Sequence, residues 1–170
     1  AKRLGLEDNL FQVGSTSKIT LAGSGISFIS SSTENLSKFI DFRNAITPGP
    51  NKMNQGMHVK YFESVSIEQQ MNELKKIIKP KFELVDDILK PLKDSGLCSY
   101  EKPTGGYFYS IDSAKSNADE IVQNCSDLGL RLLPVGSCFP YGKDPDKKNI
   151  RLAPTFPDLA SLERCVSIFK

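Results

Sequence analysis

The sequence of 170 residues has one histidine, His58, and its four cysteines (Cys98, Cys125, Cys138 and Cys165) form no C-x-x-C pair. A zinc centre needs several such ligands close together, so this composition argues against one. Scattered free thiols fit a reducing compartment, and a cytoplasmic protein is expected. No apolar run reaches the ~20 residues of a membrane-spanning helix. No secretory leader opens the chain, which starts at Ala1 rather than Met. Lys and Arg number 22 against 20 Asp and Glu, a net charge of +2. The basic residues gather only in pairs, Lys75-Lys76 and Lys147-Lys148. Neither nucleic acid nor an anionic membrane is therefore expected as a partner. Internal repeats and low-complexity segments are absent too. His58 reads as a histidine on a helix face, not a catalytic base.

With 39% hydrophobic and 25% charged residues, the chain reads as one globular domain or parts of two. Its most suggestive stretch is Gly14-Ser15-Thr16-Ser17-Lys18, followed by an apolar, glycine-rich run to Ser32. Small hydroxyl side chains and glycines let a backbone approach a phosphate and donate to it. Walker A does not fit, because Ser17 precedes Lys18 where that motif needs Gly-Lys-Ser/Thr. Apolar neighbours would desolvate Lys18 and favour its neutral amine, the form that attacks a carbonyl. The plain alternative is a loop with a solvated lysine.

The pattern predicts short buried strands at 10–13 and 26–30. A helix follows, capped by Ser32 or Thr33, with Leu36, Phe39, Ile40 and Ala45 inward; Thr47-Pro48-Gly49-Pro50 ends it. Another helix is expected at 51–62. Ser66-Ile67-Glu68-Gln69 is a capping box. It opens a long helical pattern with two apolar stripes, which Pro80 and Pro91 should kink or interrupt and Ser95-Gly96 should stop. That pattern either joins two domains or makes two packed helices in one. Beyond Gly96 a small α+β unit is expected: strand 107–111, helix 116–128, strand 130–134, strand 149–153 and a last helix capped by Thr155 or Asp158. In the strand around Arg151, Ile150 and Leu152 share one face and Arg151 takes the other. If that face lines a cleft, the guanidinium can grip a carboxylate through two hydrogen bonds. Otherwise Arg151 is a solvated surface residue.

Three motifs in this order carry a resemblance. They are Ser15-Thr16-Ser17-Lys18-Ile19-Thr20, the turn Pro103-x-Gly105-Gly106-Tyr107-Phe108, and Asn149-Ile150-Arg151-Leu152-Ala153-Pro154-Thr155-Phe156-Pro157. With Phe139-Pro140-Tyr141-Gly142, they resemble the C-terminal part of fold-type-I pyridoxal-phosphate aminotransferases, closest to a bacterial-type aspartate aminotransferase subgroup. The match covers essentially the whole chain. It implies an α/β fold: residues 1–63 as the end of the large cofactor-binding domain, and 64–170 as a long kinked helix with a small C-terminal α+β domain. It further implies that Lys18 bonds pyridoxal 5'-phosphate and moves protons, Ser15 and Ser17 hold the phosphate, Arg151 binds the substrate α-carboxylate, and Phe108 lines the substrate side. Substrates would be an amino acid, aspartate or glutamate, and a 2-oxo acid, in a homodimer. Arg43 is a candidate for the second carboxylate, or else a solvated helix-end arginine.

The chain departs from the family in two ways. Where many relatives carry a phosphate-binding arginine, it has Gly25 or Ile26. The aspartate, aromatic and asparagine that surround the ring lie upstream of the lysine in the family, and here only 17 residues precede Lys18. The resemblance thus implies a fragment of a longer protein, inactive alone. An aminotransferase-like sensing domain of a transcription regulator is the alternative.

Overall fold

A computed structural model describes residues 1–169. Two compact units divide the chain, Ala1–Lys75 and Lys76–Lys170.

In the first unit, β1 (Gln12–Ser15) and β2 (Ser27–Ser30) form an antiparallel hairpin in which Ser15 faces Ser27 and Gly14 faces Phe28. The connection, residues 16–26, carries Lys18. Both strands were expected to be buried, yet Val13 is 72% and Phe28 58% exposed. Two strands alone cannot cover both of their faces. Helix α1 (Thr33–Ile46) starts where the Ser32 hydroxyl accepts from the Asn35 N–H at 3.3 Å. It half-buries Leu36 and Phe39 but leaves Ile40 and Ala45 exposed. Helix α2 (Lys52–Ser64) is capped by Asn51, whose side chain accepts from the Asn54 N–H.

The capping box is present in full: Ser66 N–H donates to Gln69 Oε1 at 2.9 Å, and Gln69 N–H donates to Ser66 Oγ at 3.1 Å. Helix α3 (Ile67–Asp94) then runs on through Pro80 and Pro91, so of the expected kink or interruption the second does not occur. Each proline removes one N–H, but Lys76 and Asp87, whose carbonyls lose that donor, are exposed residues that water can reach. Gly96, at φ 71°, ends the helix as expected, with Leu97 N–H donating to the Leu92 carbonyl at 3.0 Å.

The second unit holds the core. Strands β3 (Cys98–Tyr100), β4 (Tyr109–Ser113) and β5 (Asn149–Leu152) make an antiparallel sheet in the order β3-β4-β5. Tyr109, Ile111, Ile150 and Leu152 pack from it against Val85 and Leu89 of α3, Ala118 of α4 (Ala118–Asp127), and Leu162 and Val166 of α5 (Leu159–Phe169). Asp158 caps α5, its carboxylate accepting from the Ser161 N–H at 2.8 Å. Two expectations differ here. Strand β3 was not foreseen, and residues 130–134 run without strand pairing. Their apolar composition serves a different contact, since Leu132 packs against the core.

Candidate functional site

The Lys18 turn is built around Thr16. Its N–H donates to the Ile26 carbonyl at 2.8 Å, which ties the first residue of the connection to the last. Its carbonyl accepts from Ile19 N–H at 2.8 Å and Thr20 N–H at 3.0 Å, closing a turn that has Lys18 within it. Its hydroxyl accepts from the Ile26 N–H at 3.0 Å. Ser15 Oγ and Ser17 Oγ lie 2.6 Å apart on exposed residues, and Ser17 N–H donates to Ser15 Oγ at 3.1 Å. Two hydroxyls and a lysine thus share one tight loop.

Gly25 fixes how close this loop packs. A Cβ there would overlap the Ser17 backbone, reaching 2.7 Å from its nitrogen. Lys18 corrects an expectation: it is exposed, not desolvated by its apolar neighbours. Ile19 and Leu21 beside it are half-buried.

His58 lies on a helix, α2, as expected, and the structure adds that it is buried. His58 is 1% exposed, the single buried residue of the first unit. Its Nε2 lies 2.8 Å from Thr20 Oγ1 and 3.3 Å from Thr16 Oγ1, and Nδ1 lies 3.0 Å from the Asn54 carbonyl. The only sequence signal was the pairing of one histidine with two threonines that bracket a lysine. Arg43, also in this unit, sits in the last turn of α1, where its Nη2 donates to Asn44 Oδ1 at 2.7 Å. Its Nε is buried without a hydrogen-bond partner among the described residues.

In the second unit Arg151 pairs across the sheet with Ser110, between the buried Ile150 and Leu152, on the opposite face as expected. Its guanidinium carbon lies 3.4 Å from the centroid of the Phe108 ring, and Nη1 lies 3.7 Å from Cys138 Sγ. A planar cation over an aromatic face is held in plane by the ring quadrupole. Arg151 Nε, like that of Arg43, is buried and unpartnered among the described residues. Arg151 and Phe156 help line a largely apolar cavity of about 470 Å³. Arg151 and Phe108, predicted from separate motifs, therefore meet, and Cys138 joins them without having been anticipated.

The aspartate amino-transferase family model matches residues 1–169. The chain belongs to the aspartate amino-transferase family. It is 38% identical over 151 residues to an aspartate aminotransferase of Corynebacterium glutamicum, covering 88% of this chain and 35% of that protein. A solved aspartate transaminase from the same organism superposes with a TM-score of 0.84 at 35% identity, over 94% of this chain and 38% of that one. An α-aminoadipate aminotransferase from Thermus thermophilus, complexed with N-(5'-phosphopyridoxyl)-L-leucine, shares the fold at a TM-score of 0.80 and 17% identity, over 98% of this chain and 42% of that one. The chain spans about a third of the length of the curated relatives it matches. Its fold is the α/β fold of the C-terminal portion of these aminotransferases. Among the described residues no helix is long and apolar enough to cross a membrane.

Proposed function

We propose that this chain is the lysine-bearing part of a pyridoxal-phosphate-dependent aminotransferase that works on aspartate or glutamate and a 2-oxo acid. One observation carries the reading: Lys18 stands in a turn closed on the Thr16 carbonyl, next to paired serine hydroxyls, in a chain that matches the family from end to end.

The donor set suits the cofactor. Ser15 and Ser17 offer hydroxyls to a phosphate, and the bare Gly25 leaves the loop backbone close beside them. Pyridoxal phosphate, when bound, supplies an aldehyde for the amine and an electron-withdrawing ring for the carbanion. Lys18 Nζ would hold the cofactor through its aldehyde, and as a free amine would serve as the base for a proton at the substrate Cα. Arg151 grips the α-carboxylate, its plane set by Phe108. Arg43 is assigned to the second carboxylate of a dicarboxylic substrate, in a cytoplasmic homodimer.

In the full-length protein, pyridoxal phosphate should give a visible absorption band in the wild type that Lys18→Ala loses. Arg151→Leu should raise KM by about ten- to a hundredfold for every amino acid alike, since all share the α-carboxylate. An increase confined to acidic amino acids would move Arg151 to the side-chain pocket. Arg43→Met should raise KM for aspartate and leave alanine unaffected.

A further inference from the structure

We propose that His58 is a positioning residue for Lys18, acting from α2 through the threonines on either side of the lysine; this rests on the Lys18 reading above. The Asn54 carbonyl can only accept, so the His58 Nδ1 at 3.0 Å carries a proton. In the neutral ring Nε2 is then an acceptor. The Thr20 hydroxyl donates to it at 2.8 Å, a shorter contact than the 3.3 Å the same hydroxyl makes to the Thr16 carbonyl, and the Thr16 hydroxyl is a longer second donor at 3.3 Å. Thr16 Oγ1 still accepts from the Ile26 N–H at 3.0 Å, so its lone pair and its proton are both engaged.

Both ends of the Lys18 turn are thereby fastened to one buried atom. Thr16 and Thr20 already meet through the backbone, Thr20 N–H donating to the Thr16 carbonyl at 3.0 Å. His58 adds a bond from outside the loop. Asn54, one helical turn earlier on the same face, donates from Nδ2 to the Gly25 carbonyl at 3.3 Å. Helix α2 therefore holds the connection at its lysine end and at its glycine end. Rotation of the turn would swing Lys18 away from the serines, and it would have to break these bonds first. In a unit with no other buried side chain, a buried imidazole spent on two threonine hydroxyls is better explained by loop geometry than by core packing.

Three variants of the full-length protein test this. His58→Leu fills the space without hydrogen bonds, Thr20→Val keeps the shape of Thr20 without its hydroxyl, and His58→Gln keeps an acceptor on a flexible stem. Hydrogen exchange in the cofactor-free protein should speed up about three- to tenfold at the Ile19 and Thr20 amides in His58→Leu and Thr20→Val, with little change in His58→Gln. Amides of α4 and α5 should keep their wild-type rates. Borohydride capture of pyridoxal phosphate at Lys18 should slow by a similar factor in the same two variants, and recover in His58→Gln. Unchanged exchange at Ile19 and Thr20 in Thr20→Val, or equal acceleration across α4 and α5, would overturn the proposal. Exchange confined to the turn with no capture at Lys18 even in the wild type would keep the clamp and sink the function assigned to the lysine.

Discussion

At position 25 the loop has no room for a methyl group, and that exclusion is the most local statement the structure makes. Gly25→Ala must push Ser17 aside, at a cost of about 1–3 kcal/mol by analogy with overpacked sites. We expect a lower melting temperature together with weaker pyridoxal phosphate binding in a titration of the full-length variant. A normal titration would separate Ser17 from the phosphate. At this scale the sequence was partly legible. Lys18, Ser15, Ser17, Phe108 and Arg151 were named from motif and residue chemistry, and Phe108 and Arg151 do touch. His58 was not legible, because its value comes from Thr16 and Thr20, 42 and 38 residues away in the chain. The exposure of Lys18 was misread for the same reason: neighbours in sequence do not decide what covers a side chain.

At the scale of elements, local signals served best where the chain satisfies its own backbone. Ser66 and Gln69 exchange the two bonds their spacing predicted, and Gly96 stops α3 where a left-handed residue was required. Ser66→Ala should destabilise the start of α3 by about 1 kcal/mol, seen as faster exchange at the Gln69 amide. Neither proline interrupts α3. The second apolar stripe of α3, with Val85 and Leu89 fully buried, holds the helix against the core although Pro91 lies within that half. The first stripe stays largely open, with Ile67, Met71 and Ile77 exposed. Strand β3 escaped notice because three residues carry too little periodicity, and its pairing of Ser99 with Asp112 is a tertiary fact. Residues 130–134 show the converse, β-forming composition without a partner strand.

Over the whole molecule, burial is uneven. The hydrophobic core belongs to the second unit, and its pH response should be too. Tyr109 is fully buried, stacked on Phe82 at 5.1 Å, and its hydroxyl donates to the Phe82 carbonyl at 2.9 Å. Burial, with some help from the charges of Asp86 and Asp87, pushes its phenol from 10.0 up to about 12. The folded state thus favours the protonated phenol. That stability is complete below about pH 10 and is lost as pH rises toward 12. An alkaline titration followed by circular dichroism should show Tyr109→Phe losing less stability than the wild type across that window. Asp86 works in the opposite direction. Burial raises its carboxyl, but hydrogen bonds from Lys102 and Tyr100 outweigh that and leave it below its usual value of 3.8. Its contribution is present above pH 3.8 and fades as pH falls through the lower folded value. The advantage of wild type over Asp86→Asn should therefore shrink in acid. The first unit, with Val13, Phe28 and Met53 among its exposed apolar side chains, has no comparable core. Family and fold were legible through motifs that span both units. The central claim concerns a single amine, and the most direct test is to reduce the full-length protein with borohydride in the presence of pyridoxal phosphate and map the modified peptide. The phosphopyridoxyl mass should fall on Lys18; finding it on any other lysine, with Lys18 unmodified, would contradict the account.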